Sequence, residues 1–334
     1  ITLCIITSLL LASVRADEEY HVIATLQSPV PSDVRWFGSD LVLYEGILLV
    51  IGWNADLGDL KSVGGAYIYD SNWNLVATLQ APIPKAQDNF KSADMWGDTI
   101  AISSPALEDI ESAGEVYIFD SEGVLLTTIR SPSPTLLGTF GISIDANDEF
   151  ILVGELGLSD KPSNDSNVHV YDVDYNLVTT LYSPDNQDRS FFGNSVTISG
   201  DHVVIGERWA SVEGHEMAGR AHIYDTGWNL VATLQSPEPE VDAMFGWQVV
   251  TDGDIILVAD VQHSVDGFSQ AGKVYIFGLG EPTAEQPAPE EETTVTESEP
   301  DSEKSGGIPG FPFESIVISM VLAVLVLWFI QRQR

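Results

Sequence analysis

The chain has 334 residues, 50 acids against 14 Lys and Arg, and a formal charge of −36. Nucleic acid and anionic membrane surfaces are recognised through basic patches, so this balance excludes both as partners of the chain's surface. The single cysteine, Cys4, lies in the first apolar run and leaves no disulfide framework or cysteine metal site for the rest.

Residues 1–16, "ITLCIITSLLLASVRA", read as the apolar core of a secretory signal that ends in small residues. That predicts a domain outside the cytoplasm, beginning at Asp17.

From residue 17 to residue 280 the chain repeats itself. The phrase "YDSNWNLVATLQAPIP" at Tyr69 returns as "YDTGWNLVATLQSPEP" at Tyr224. The Ser-Pro or Ala-Pro marks end at Pro29, Pro82, Pro132, Pro184 and Pro237, with gaps of 53, 50, 52 and 53 residues. "FG" keeps the same beat at Phe37, Phe140, Phe192 and Phe245, with "FK" at Phe90. A fixed period near 50 residues marks a solenoid, propeller or array.

Each unit holds four short segments rich in Val, Ile and Tyr; in the fourth they are "GNSVTIS", "HVVIGE", "RAHIYD" and "LVATLQ". This is strand chemistry. Continuous runs such as "ILLVIG" and "IILVAD" predict strands buried on both faces. "DSNWN", "DSEG", "DVDYN" and "DTGWN" predict tight hairpins between third and fourth strands. Four antiparallel strands repeated radially are propeller blades. The fifth unit stops at "VYIFGLG", while an orphan "VIATLQSP" stands ahead of the first "FG". The sequence thus predicts an all-β fold, a five-bladed β-propeller closed by the N-terminal strand Val22–Pro29, which would hide an open sheet edge.

"FGNSVTISGDHVVIGE…GRAHIYD…LVATLQSP" resembles the FG-GAP-type repeats of integrin-like ectodomains and microbial surface proteins, over about 260 residues. The resemblance implies a propeller used for binding or adhesion. Two features depart from it: "NFKSADMWGD" loses the FG glycine, and the family's calcium loop of the DxDxDG kind is missing. "DVDYN" at Asp172–Asn176 approaches that loop but sits where other units carry a plain turn, so no cofactor is expected and Ca²⁺ lacks a complete motif.

Residues 281–307 contain nine acids, one Lys and few large apolar side chains. Such a segment cannot offset its chain entropy by burial and reads as an extended acidic stalk. Residues 308–334 follow as an apolar stretch approaching the ~20 residues of a membrane span, with Arg332 and Arg334 directly after it. The basic end predicts a single-pass anchor with its C-terminus in the cytoplasm. "PGF" at Pro309–Phe311 ahead of that stretch resembles the PGF-CTERM sorting tails of archaeal surface proteins, which implies removal of the tail and a lipid anchor in its place.

For chemistry, the chain offers no HExxH, G-x-S-x-G or Walker A motif and no Asp box. His169 and His222 stand at the repeat position of Tyr67, Tyr117 and Tyr275, which makes them packed strand residues. The residues after the second strand read as Trp53, Ser103, Glu155, Glu207 and Asp260. Glu155, Glu207 and Asp260 form the candidate ligand or cation site; the competing reading is solvated acids at strand ends. Trp73, Trp228 and Trp247 are candidate sugar-stacking residues or blade-packing residues. "NDS" at Asn164–Ser166 is a glycan acceptor in a loop. The expected function is a membrane-anchored surface propeller for binding, adhesion or structural display, with an extracellular protein or glycan as partner. The alternative is a propeller glycosidase or carbohydrate-binding protein using carboxylates on one face.

Overall fold

The computed structural model describes residues 23–30, 34–85, 88–105, 114–134, 138–157, 166–187 and 189–278. The signal at 1–16, Asn164, the stalk at 281–307 and the anchor and sorting tail at 308–334 lie outside the described residues. Among the described residues no helix is long and apolar enough to cross a membrane.

The protein is an all-β, five-bladed propeller. The first blade is β1 (Val34–Tyr44), β2 (Ile47–Ala55), β3 (Gly65–Tyr69) and β4 (Leu75–Leu79). The second is β5 (Ala93–Trp96), β6 (Thr99–Ser104), β7 (Glu115–Asp120) and β8 (Leu125–Arg130). The third is β9 (Ile144–Ala146), β10 (Phe150–Glu155), β11 (Asn167–Asp172) and β12 (Leu177–Tyr182). The fourth is β13 (Phe192–Ser199), β14 (His202–Glu207), β15 (Arg220–Asp225) and β16 (Leu230–Leu234), and the fifth is β17 (Phe245–Thr251), β18 (Ile255–Asp260) and β19 (Lys273–Gly278). Every sheet is an antiparallel meander in chain order. The chain forms two compact units, residues 1–180 and 181–334.

The second strands are buried on both faces, as their continuous apolar runs predict: Leu49–Ile51, Ile151–Val153 and Val203–Ile205 are all sealed from solvent. β18 is the exception and alternates, with Ile256 and Val258 buried and the residues between them half-buried.

The "FG" phenylalanine has the same job in every blade. Its ring packs on the Tyr or His of its own third strand: Phe37 on Tyr67 at 5.4 Å, Phe90 on Tyr117 at 5.9 Å, Phe140 on His169 at 5.5 Å, Phe192 on His222 at 5.6 Å and Phe245 on Tyr275 at 5.6 Å. It also reaches the blade before it. Phe90 shares a core with Leu49, Ala66 and Ile68, Phe140 with Val116 and Ile118, and Phe245 with Ala221 and Ile223. A glycine ahead of the preceding third strand makes room. A Cβ on Gly219 would lie 2.0 Å from the Phe245 carbonyl oxygen, and one on Gly114 2.2 Å from that of Phe140.

The glycine after the phenylalanine sits at positive φ (87° at Gly38, 86° at Gly193, 84° at Gly246) and opens a bulge in the first strand. In the second blade Lys91 replaces it, and Lys91 and Ser92 both bond the backbone of Ser103 ahead of β5. Phe90 is still fully buried, so the missing glycine spares the core.

The predicted hairpins are formed. Oδ1 of Asp70, Asp120, Asp172 and Asp225 accepts the backbone N–H four residues on, at 2.7–2.8 Å. "DVDYN" is thus built like its neighbours: the oxygens of Asp172 receive N–H groups of Asp174 and Asn176.

One expectation is corrected. Ile23–Ser28 forms no strand, and the fifth sheet has three strands among the described residues. Leu26 nevertheless packs on the cluster of Val50, Ala55, Tyr67 and Tyr69 in the first blade, as its counterpart Leu79 in "LVATLQ" packs on Phe90 and Tyr117 of the second. The segment keeps the side-chain packing of a fourth strand without the hydrogen-bonded ladder.

Candidate functional site

The carboxylates singled out by sequence stand at the end of the second strand, opposite the phenylalanine in register: Glu207 faces Phe192 and Asp260 faces Phe245. The same register puts Gly52 opposite Phe37, and Ser104 opposite Glu115 where Glu207 faces Arg220. The equivalent positions in the first two blades are therefore Gly52 and Ser104, not Trp53 and Ser103. A one-residue miscount of this kind exchanges the faces of a strand.

Glu155, Glu207 and Asp260 are not solvated acids at strand ends; they are 1%, 0% and 0% exposed. Each is taken up by a histidine of its own blade. His169 Nε2 lies 2.8 Å from Glu155 Oε2, and its Nδ1 lies 3.0 Å from Thr180 Oγ1. His222 repeats this with Glu207 at 2.8 Å and Thr233 at 3.0 Å. Asp260 uses a loop histidine instead, His263, at 3.0 Å, because Tyr275 occupies the strand position.

In the third blade a serine from the preceding blade completes the chain. Ser131 donates to Glu155 Oε2 at 2.7 Å. Ser183 and Ser190 face Glu207, and Ser236 faces Asp260. Ser131, Ser183 and Ser236 are serines of the "SP" marks; Ser190 is not. Where the next blade has Ser104 in place of the acid, the mark is "AP", with Ala81 buried. The correspondence stops at the first blade, where Gly52 takes the acid's place after the "SP" of Ser28 and Pro29.

The two best-defined acids are pushed in opposite directions. Burial raises Glu207, but hydrogen bonds from His222, Ser183 and Ser190 outweigh it and hold the group below its ordinary range. Burial also raises Asp260, and there it prevails over His263 and Ser236. Glu207 has a further cation: Arg220 Nη2 lies 3.2 Å from Oε2, while its Nη1 bonds Asp185. Chemically these arrangements fix side chains and join blades; none presents a carboxylate to solvent. Among the described residues no three His, Cys, Asp or Glu side chains are arranged to hold a metal ion.

The aromatic candidates separate. Trp73 and Trp228 occupy the left-handed position of their hairpins, with φ of 66° in both, and are half-buried. Trp247 is 41% exposed and lies in a cluster that sequence reasoning missed. The Arg208 guanidinium carbon lies 4.5 Å from the Trp247 ring centroid, 4.9 Å from Phe191 and 5.9 Å from Trp209. Phe191 and Trp209 stack at 4.1 Å.

A search of curated proteins finds no match. Among solved structures, the WD40 domain of Neurospora crassa Pan2 aligns with 13% identity and a TM-score of 0.46, over 72% of this chain and 62% of that one, so the chain spans less than two thirds of that domain. The FG-GAP repeat family model matches residues 175–224, one repeat length that contains the Phe192–Glu207–His222 arrangement. The chain is thus a five-bladed β-propeller that carries an FG-GAP repeat.

Proposed function

We propose that this propeller is a non-catalytic binding module displayed on a cell surface, held there by the apolar segment at 308–334 on its acidic stalk. The observation that carries the reading is the sealing of Glu155, Glu207 and Asp260 in serine–carboxylate–histidine chains. A glycosidase needs two carboxylates facing a sugar ring, and a general acid must reach the proton it moves. Side chains with 1% exposure or less, each already bonded, serve the scaffold. Solvent-exposed aromatic side chains such as Trp247 suit recognition of a glycan or an extracellular protein.

The test is a glycan array run beside a glycoside-hydrolysis screen on the full-length chain. Retention of a glycan without turnover is the expected result. Turnover that disappears in Glu207→Gln would establish the enzyme instead.

A further inference from the structure

Arg208 is unusual in this chain. Fifty acids surround fourteen basic residues, yet among the described residues no carboxylate pairs with the Arg208 guanidinium. Its neighbours are rings. Phe191, Trp209 and Trp247 flank it at 4.9, 5.9 and 4.5 Å, and burial pulls its pKa below the ordinary arginine value. Arg208 Nε is sealed among these rings, so the part of the guanidinium left for an outside acceptor is its outer, Nη edge.

The cluster is built, not incidental. Phe191 precedes the FG phenylalanine and holds φ at 59°, a left-handed setting that Trp36, Asn89 and Met244 repeat at the same place in other blades. Asn194 clamps the two blades of this unit together. Its Oδ1 accepts the Arg208 N–H at 3.1 Å, and its Nδ2 donates to the carbonyls of Gly246 at 3.0 Å and Trp247 at 2.8 Å. The Trp209 N–H donates to the Ser190 carbonyl at 2.9 Å. One side chain therefore sets the backbone of Arg208 and of Trp247 at once. The equivalent positions of Arg208 elsewhere are Trp53, Pro105, Leu156 and Val261, so the cation belongs to the fourth blade alone.

We infer that Arg208, Trp209 and Trp247 form a binding site for an acidic sugar, a pyranose carrying a carboxylate. This rests on the binding reading above and names its ligand class. The planar guanidinium fork takes the carboxylate in paired, charge-assisted hydrogen bonds. The exposed face of Trp247 receives the apolar C–H face of the ring. A neutral sugar could use the tryptophan but offers the guanidinium no charged acceptor, and that difference discriminates between the two.

The field of the whole protein gives the site a signature. A chain of charge −36 repels anions at long range, and salt screens that repulsion with a Debye length of roughly 8 Å at 0.15 M while barely touching a desolvated contact. Affinity for the acidic sugar should hold or rise as salt is added, where an ordinary surface ion pair would weaken.

The experiment is calorimetric titration of the full-length chain with sodium glucuronate and with glucose, at about 10 mM and 150 mM NaCl. Glucuronate should bind at least tenfold more tightly than glucose and no more weakly at the higher salt. Arg208→Lys keeps the charge but loses the fork, and should cost tenfold or more. Trp247→Ala, on the exposed rim, should weaken both sugars without altering Tm. Equal binding of the two sugars, no binding of glucuronate, or an unaffected Arg208→Lys overturns the assignment. Retention of neutral glycans on the array with no effect of Arg208→Lys would leave the binding function standing and remove only this site. Silence of both the array and the titration would remove the glycan reading as a whole.

Discussion

Removing one member of a buried serine–carboxylate–histidine chain leaves the others unpaired. Glu207→Ala strands His222 and Arg220, both buried, and should cost about 3–5 kcal/mol in denaturant unfolding. Three blades carry Tyr where His222 stands, and Ser104 replaces the acid in the second. The double variant Glu207→Ser with His222→Tyr should therefore lose less than the sum of the two single changes, read as a coupling energy in a double-mutant cycle. The pH profile has a defined sign. The folded pKa of Glu207 is depressed, so its contribution is fully present above the unfolded value of 4.5 and is lost as pH falls through the lower folded value. Asp94 is the opposite case: burial, with Asp145 beside it, raises it well above 3.8. Its charged form costs the folded state at neutral pH. Asp94→Asn, which can still accept the Ala146 N–H, should raise Tm at pH 7, with the gain vanishing below about pH 3.8. The acids themselves were legible in the sequence as a repeated position. Their direction was not, because it depends on which histidine lies one strand over, and that needs the register.

The repeated glycine is what lets neighbouring blades in a unit approach. Gly219 sits at φ +85° with the Phe245 carbonyl against the place a Cβ would take. Gly219→Ala should cost more than ~2 kcal/mol, the left-handed penalty of ~1–2 plus the displacement of a β17 backbone. Gly214 lies in the same loop at φ +87° with open space around it, so Gly214→Ala should cost only the left-handed penalty of about 1–2 kcal/mol. A difference in midpoint between the two variants isolates the steric part. Strands and hairpins were readable because alternation, continuous apolar runs and Asp–Asn turns are local signals. The packing of the N-terminal segment was readable from "VIATLQSP", since Leu26 finds the neighbours that Leu79 finds one blade on, but its lack of a paired strand was not. The bulge at Gly193, which sets Asn194 within reach of the Trp247 carbonyl, is a three-dimensional consequence of one φ angle.

Across the whole chain, charge sets behaviour in solution. At −36 the folded state carries strong self-repulsion, so raising NaCl from about 0.01 to about 1 M should raise Tm as the Debye length falls from ~30 to ~3 Å. The proposed display at a surface makes a separate prediction. Protease applied to intact cells should release the propeller by cutting within residues 281–307, whose composition opposes a packed core. Release only after lysis would reverse the orientation.

The phenylalanines that open the second, third and fifth blades also finish the blade before them, and this orders events while the protein is being made. Phe140 reaches Val116 and Ile118, yet it leaves the ribosome 24 and 22 residues after them. A nascent chain therefore carries one bare apolar face at a time, covered when translation has supplied the next blade's opening residues. Folding that advances in this way never exposes more than a single unfinished sheet. Fragments should be designed accordingly: a chain stopped after β16 would keep all four strands of the fourth blade and still leave Ala221 and Ile223 uncovered, whereas one extended through Phe245 would carry its own lid.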